Sequence, residues 1–404
     1  MSLPPPPQRS RGSLPDLVDD AMREILLRVP ADDPKSLVRA AAVCTSWRGI
    51  LSDDAFACQY RAFHGAPPML GFLRTKSFLN YVRSSPSERS WGERGSRYYY
   101  SVTDFVSTAS FRPPACHERR DWHALDSRHG LVLFHTPKGD EDFVIYDLVT
   151  YHQWRIKAND ECSNILSSYD DDDEEIVGIT WNATVLCSKD RCDHLYCHGG
   201  PFLVAFVGCH EERGITFASI YSSETRKWSD IISIEKADGI EMSGSSALVG
   251  NKIYFSSANI HSIVEYDMRE KELSLIDVPF AKHDEVLPYA LLVGVEDGML
   301  LFAKVLDPGL CLWSVEADSN GALALARHRV IELEPLLPTY ALLGVVVVVG
   351  FAEGVGVIFL STEAGLYTVD LNSGQSKKVH IDTFPQRVVP YMSFYTRAVS
   401  WNSH

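Results

Sequence analysis

The densest grouping of chemically capable side chains is Cys187, Cys192, His194, Cys197 and His198. Thiolates and imidazoles are the usual ligands of structural zinc. Such sites pair their ligands two to four residues apart and repeat the pair further along the chain. Here no second pair follows, so the spacing predicts a strand and hairpin with incidental thiols and no metal. Nucleophilic chemistry is no better served. Gly244-Ser245-Ser246 precedes an apolar strand-like run and not a strand-to-helix elbow. No Gly-x-Ser-x-Gly, phosphate-binding glycine loop, dinucleotide fingerprint or His-Glu-x-x-His occurs. A glycosidase-like reaction would need two carboxylates facing one cleft, and linear spacing brings no such pair together. Trp154 and Trp228 would suit a ligand cage, but they recur at matching places in two repeating units, which predicts packing between units. Tyr98-Tyr99-Tyr100 reads as a strand with alternating faces. The expectation is a protein with no catalytic residues, no cofactor and no metal.

The bulk properties point the same way. With 404 residues, 45% of them hydrophobic, the chain has ample material for a large core and exceeds one ordinary domain. A formal charge of −15 with no basic stripe argues against a duplex nucleic-acid binder and for protein partners. Nine thinly scattered cysteines fit reduced thiols, hence cytoplasm and/or nucleus. Pro4 to Pro7 cannot form the apolar helix of a signal peptide. The apolar stretch Tyr340 to Ala352 is broken by Gly344 and Gly350 and falls short of the ~20 residues of a membrane span, so a buried strand is expected there. The sequon Asn182-Ala183-Thr184 is then a chance match. The carboxylate run Asp170 to Glu175 is read as a solvated loop, since like charges this dense repel.

The elements that would position any site change abruptly along the chain. Residues 1–13 form a proline- and arginine-bearing tail, expected to be disordered. Residues 14–64 read as helical and 65–404 as almost entirely β. Asp16 can cap a first helix bearing Val18, Met22, Ile25, Leu26 and Val29, which Pro30 ends. Asp33-Pro34 opens a second, with Leu37, Val38, Ala41 and Ala42 as its apolar side. Thr45 or Ser46 caps a third carrying Trp47, Ile50 and Leu51. A three-helix module this small is marginal alone and gains from a partner.

The β part repeats with a period of about 45–55 residues, the size of a four-stranded propeller blade. Examples are Phe143 to Thr150 leading to Trp154, and Gly365 to Gly374 leading to Lys378. Five such units fall between residues 125 and 381, and residues 69–112 supply most of a sixth. The strand-like segment Tyr391 to Val399 is expected to close the ring on that first blade, removing an exposed sheet edge. The predicted fold is a three-helix module followed by an all-β propeller of six blades.

The ordered series Leu14-Pro15, Glu24-Ile25-Leu26, Leu37, Val43-Cys44 and Trp47-Arg48, with Asp53-Asp54-Ala55-Phe56 trailing, resembles an F-box. The β part, with its Pro390 to Tyr395 tail, is similar to the F-box-associated propeller domains common in plants. The resemblance implies the substrate-recognition subunit of a cullin–RING ubiquitin ligase. Its helices would bind a Skp-type adaptor, and through it the cullin and RING subunits, while the propeller binds a target protein. By position it implies adaptor contact at Leu14, Pro15, Ile25, Leu26, Leu37, Val43, Cys44 and Trp47. Leu14, Pro15 and Trp47 are expected at the interface, whereas Ile25, Leu26 and Val43 could equally fill the module's own core. Two other readings stay open: an interaction scaffold with a degenerate F-box, and a propeller enzyme with a carboxylate pair lining its central channel.

Overall fold

The structure is a computed structural model, and it describes residues 19–65, 67–81, 97–109, 111–113, 122–137, 142–167, 179–189, 200–236, 246–256, 262–277, 291–296, 299–306, 309–317, 323–381 and 387–394. Four helices come first: α1 (Asp19–Leu27), α2 (Pro34–Ala41), α3 (Thr45–Leu51) and α4 (Asp54–His64). The expected three become four because Asp53 caps a separate helix, accepting the Ala55 N–H at 3.1 Å. Phe56 and Tyr60 on α4 then turn one face inward.

Six antiparallel sheets follow, arranged as the six blades of a β-propeller. Blade II holds strands His123–Arg128, Leu131–His135, Phe143–Asp147 and Gln153–Ile156 in sequential order. Blades IV (residues 246–277), V (291–332) and VI (347–380) repeat that meander. In blade III (179–234) the outermost position is shared by two short strands, Lys227–Trp228 and Ile232–Ile234, both paired to Ile215–Ser222. A fifth helix, α5 (Asp160–Ser167), joins blades II and III, a helical exception to the all-β expectation. Asn159 starts it by accepting the Cys162 N–H at 2.9 Å.

Blade I is built from both ends of the β part. Met69–Tyr81 pairs with Arg97–Ser107 on one side and with Arg387–Met392 on the other. Ring closure by the C-terminal segment therefore occurs, with a strand that starts and ends earlier than the sequence suggested. The first strands of blades II and III, of IV and V, and of V and VI touch around the axis, and Arg387–Met392 fills the gap between blades VI and II. Tyr391, fully buried, donates its hydroxyl to the Gly130 carbonyl at 3.0 Å and ties the closing strand to blade II.

The strands read as continuous apolar runs because both of their faces are covered. Side chains alternate across a strand, so neighbours in sequence enter different cores. Ile263 packs towards blade V and Val264 towards blade III. Leu133 and Phe143 join the core with blade III, while Val132 and Phe134 join the core with blade I. Each adjacent pair of blades buries one such cluster. Trp154 and Trp228 belong to the cluster between blades II and III, where the Trp228 indole donates to the Lys157 carbonyl at 2.8 Å.

The turns repeat as well. Asp147, Asp267 and Asp370 each accept two backbone N–H groups just ahead in the chain. Four residues after each Asp the backbone enters the left-handed region, at Tyr151, Lys271 and Gly374.

The connectivity assigns faces. Crossovers between blades, and the turns between second and third strands, lie on one face, here the crossover face. Turns between first and second strands lie on the opposite face. Met69 pairs with Met392, so the helical module enters blade I from the opposite face.

Candidate functional site

The helical module is organised around Met22, Leu26, Leu37, Ile50, Leu51, Phe56 and Tyr60. Ion pairs and caps fix how its helices meet. Arg23 donates to Asp53 at 3.0 Å, tying α1 to the start of α4, and this hydrogen bond, with that from the Ala55 N–H, holds the Asp53 carboxyl below its ordinary pKa. Ser46 donates to Asp19 at 3.1 Å, tying α3 to α1. Tyr60 donates to the Val29 carbonyl at 2.8 Å, and burial, with Asp32 and Asp33 nearby, pushes its phenol pKa up.

One core member comes from the far end of the chain. Phe394, two residues beyond the ring-closing strand, is 6% exposed and meets the Tyr60 ring edge-on at 6.3 Å. The Ser393 N–H donates to the Pro68 carbonyl at 3.2 Å in the same corner. The module is thus completed by the propeller's closing segment. Nothing in local periodicity announces this, because the two rings lie more than three hundred positions apart.

Of the residues assigned to adaptor contact, the structure separates two groups. Leu26 and Leu37 are buried and fill the module's own core. Ile25 and Val43 point outward, 52% and 62% exposed. Cys44 is exposed and caps α3, its sulfur accepting the Trp47 N–H at 3.5 Å. Trp47 is half-buried, one side against the core. Leu14 and Pro15 lie outside the described residues. Val38, expected on the apolar side of α2, is exposed and adds to the outward apolar set. Large side chains of this kind left in water on a small module suit a partner's groove.

A polar cluster braces the central channel. Arg128, at the end of blade II's first strand, donates to Asp126 at 3.2 Å and to the Ser246 carbonyl of blade IV at 2.6 Å, and stands 3.9 Å from Glu353 of blade VI. Asp126 also accepts from the Thr184 hydroxyl and the Val185 N–H of blade III. Burial alone would lower the Arg128 pKa, but Asp126 and Glu353 raise it above the ordinary value. Two carboxylates do converge on the axis, as a propeller enzyme would need. They are arranged around a guanidinium as a strut between blades, and one Asp126 oxygen is taken by three donors.

Of the Cys187 cluster, Cys192, His194, Cys197 and His198 lie outside the described residues, as do residues 170–175 of the acidic run. Among the described residues no three His, Cys, Asp or Glu side chains gather to hold a metal ion. No described helix is long and apolar enough to cross a membrane.

Comparison with known proteins bears on the N-terminal module. Residues 14–58 match the family model of the F-box domain. No curated protein matches the chain. Among solved structures, the extracellular domain of a putative hybrid two-component system from B. thetaiotaomicron aligns at 12% identity with a TM-score of 0.32, over 64% of this chain and 27% of that one. The chain spans about a quarter of that protein's length. The nidogen/laminin complex aligns at 12% identity and TM-score 0.39, over 80% of this chain and 98% of that one. The Dos1 propeller aligns at 7% identity and TM-score 0.33, over 72% and 67%. At these scores the likenesses carry no argument about function. With the match placed on helices that open an outward apolar surface, and with the six sheets closed behind them, the chain carries an F-box domain at residues 14–58 followed by a six-bladed β-propeller.

Proposed function

We infer that the protein is a substrate-recognition subunit of an SCF-type cullin–RING ubiquitin ligase, of the plant type in which a propeller follows the F-box. The observation that carries this reading is the F-box match on a module whose Ile25, Val43 and Trp47 remain available at the surface while Leu26 and Leu37 hold it together. The adaptor partner is a Skp-type protein, and the target binds the propeller. The chain supplies no covalent chemistry in this scheme. It raises the effective concentration of a target lysine near a ubiquitin thioester carried by other subunits. A place in cytoplasm and/or nucleus follows from that role.

The mechanism depends on geometry. Phe394 and the Ser393–Pro68 hydrogen bond hold the module against the propeller, so adaptor and target would be kept at a fixed separation. The test is co-purification of the full chain with a Skp-type adaptor. Ile25→Asp with Val43→Asp is expected to abolish capture while leaving the melting temperature unchanged, since both sites are exposed. Capture unaffected by this pair, or no capture by the wild-type chain, overturns the reading.

A further inference from the structure

Four of the exposed large apolar side chains fall in one stretch, Tyr340, Leu343 and Val345 on the crossover from blade V to blade VI and Val347 at the first position of blade VI. The inward residues of that crossover, Leu333, Leu337 and Ala341, are buried between the two blades. The outward ones are left in water: Leu343 is 81% exposed and Val345 67%. Ile381, just past the last strand of blade VI, is 77% exposed.

The strip is held in place. The Leu337 N–H donates to the Leu333 carbonyl and the Ala341 N–H to the Pro338 carbonyl, both at 2.8 Å. Ser376 donates to the Leu336 carbonyl, and the Tyr340 and Tyr367 hydroxyls meet at 3.5 Å. The backbone at Gly344 lies directly against the Glu363 carboxylate, where any Cβ would overlap it. Beyond Glu363, Gly365 lies against the His380 carbonyl, the Lys378 side chain and the Ile381 backbone. The Glu363–Gly365 turn therefore sits between Leu343 and Val345 on one side and Ile381 on the other. This places one carboxylate inside an apolar strip.

The charges around the turn are of both signs, with Arg327, Arg329, Lys377 and Lys378 exposed on the neighbouring last strands of blades V and VI. Glu332, the last residue of blade V, and Glu334 on the crossover are also exposed. The cation nearest the turn, Lys378, holds its ammonium 5.9 Å above the Tyr367 ring. Among the described residues no cation pairs with Glu363. The whole chain carries 53 acidic against 38 basic residues, so its field draws in positive segments. The strip lies on the crossover face and the helical module on the other, so both could be occupied at once.

We propose that Tyr340, Leu343, Val345 and Ile381 bind a short segment of the recruited protein that presents two or more aliphatic or aromatic side chains beside a lysine or arginine, the cation pairing with Glu363. This deepens the receptor reading and rests on it. The experiment pans a displayed library of random dodecapeptides against the full chain and measures the enriched peptides by fluorescence anisotropy. Enriched sequences are expected to combine apolar residues with a flanking cation. Leu343→Asp with Val345→Asp should weaken binding at least about tenfold, and Glu363→Gln several-fold with a flatter salt dependence. Glu363→Lys should restore affinity for a peptide whose cation is changed to glutamate. Acidic or purely polar enriched sequences, or affinities unmoved by these exposed substitutions, overturn the proposal. So does a wild-type dimer in sedimentation that Leu343→Asp converts to monomer, because the strip would then be covered by a second copy. Adaptor capture measured on the same variants keeps the two readings apart: its loss in the wild type sinks the receptor role, whereas intact capture with unmoved peptide affinity sinks the strip alone.

Discussion

Replacing Phe394 by alanine removes a ring that belongs to a core formed otherwise by α1 to α4. At 6% exposure, with Tyr60 edge-on at 6.3 Å, the site is closed, and a Phe→Ala change in such a place costs about 3–5 kcal/mol. The aromatic pairing accounts for about 0.5–1.5 kcal/mol of that. A helical segment of roughly forty-five residues carries only on the order of 2–7 kcal/mol of its own stability. The deletion therefore removes most of what holds the module closed, whereas the blades, each with separate clusters, keep theirs. Native-state hydrogen exchange on the full chain reads the two parts separately. Amides of α1 to α4 should lose at least about a hundredfold in protection, the equivalent of ~3 kcal/mol, with blades IV and V unmoved. Phe394→Leu should restore most of the protection, and adaptor capture should follow the same order. Unchanged exchange in the helices, or equal loss in every blade, would refute the reasoning that one propeller residue completes the helical core.

Two other perturbations probe the ring. Arg128→Ala leaves the largely enclosed Asp126 beside an empty site and should cost about 3 kcal/mol in chemical denaturation, with little change in adaptor capture; a cost below about 1 kcal/mol would show that the axial cluster is not a strut. His135 lies among Phe143 and Trp181, and its pKa is pushed down from 6.5 to about 3, first by burial and then by the charge of His123. The unfolded chain takes up a proton near pH 6.5 that the folded chain refuses, so this contribution is full above that pH and declines as pH falls towards 3. His135→Phe should flatten the fall in melting temperature between pH 6.5 and 5, and parallel curves for the two proteins would refute the assignment.

The legible and illegible parts of the molecule divide by range. Blade units were readable because a strand covered on both faces is continuously apolar, as in Leu131 to Phe134, and because a polar turn and a further strand follow each run, as after Phe143 to Thr150. The helical module was readable through Asp33-Pro34 and the Trp47 segment. The fourth helix was missed because its cap, Asp53, follows Leu51 by two residues, so that Asp53 to Phe56 pass for the tail of the third segment. Helix α5 escaped because its eight residues are too few for a period to stand out in a β context. The even choice between core and surface for Ile25, Leu26 and Val43 could not be resolved from spacing. Successive helical residues point about 100° apart, and only the position of Phe56, Tyr60 and Phe394 decides which side is inside. The Arg128 strut joins residues more than a hundred positions apart, and no local pattern encodes it.

The order of synthesis gives the Phe394 contact a further meaning. Residues 19–64 leave the ribosome first, yet their last core member is made after the whole ring, on the order of twenty to sixty seconds later at ordinary elongation rates. Through that interval the nascent helices lack a partner ring for Tyr60. A chain cut short by a premature stop or a proteolytic nick would carry the complete F-box sequence on a loosened module. On the receptor reading, competence to bind an adaptor would then report that the ring had shut.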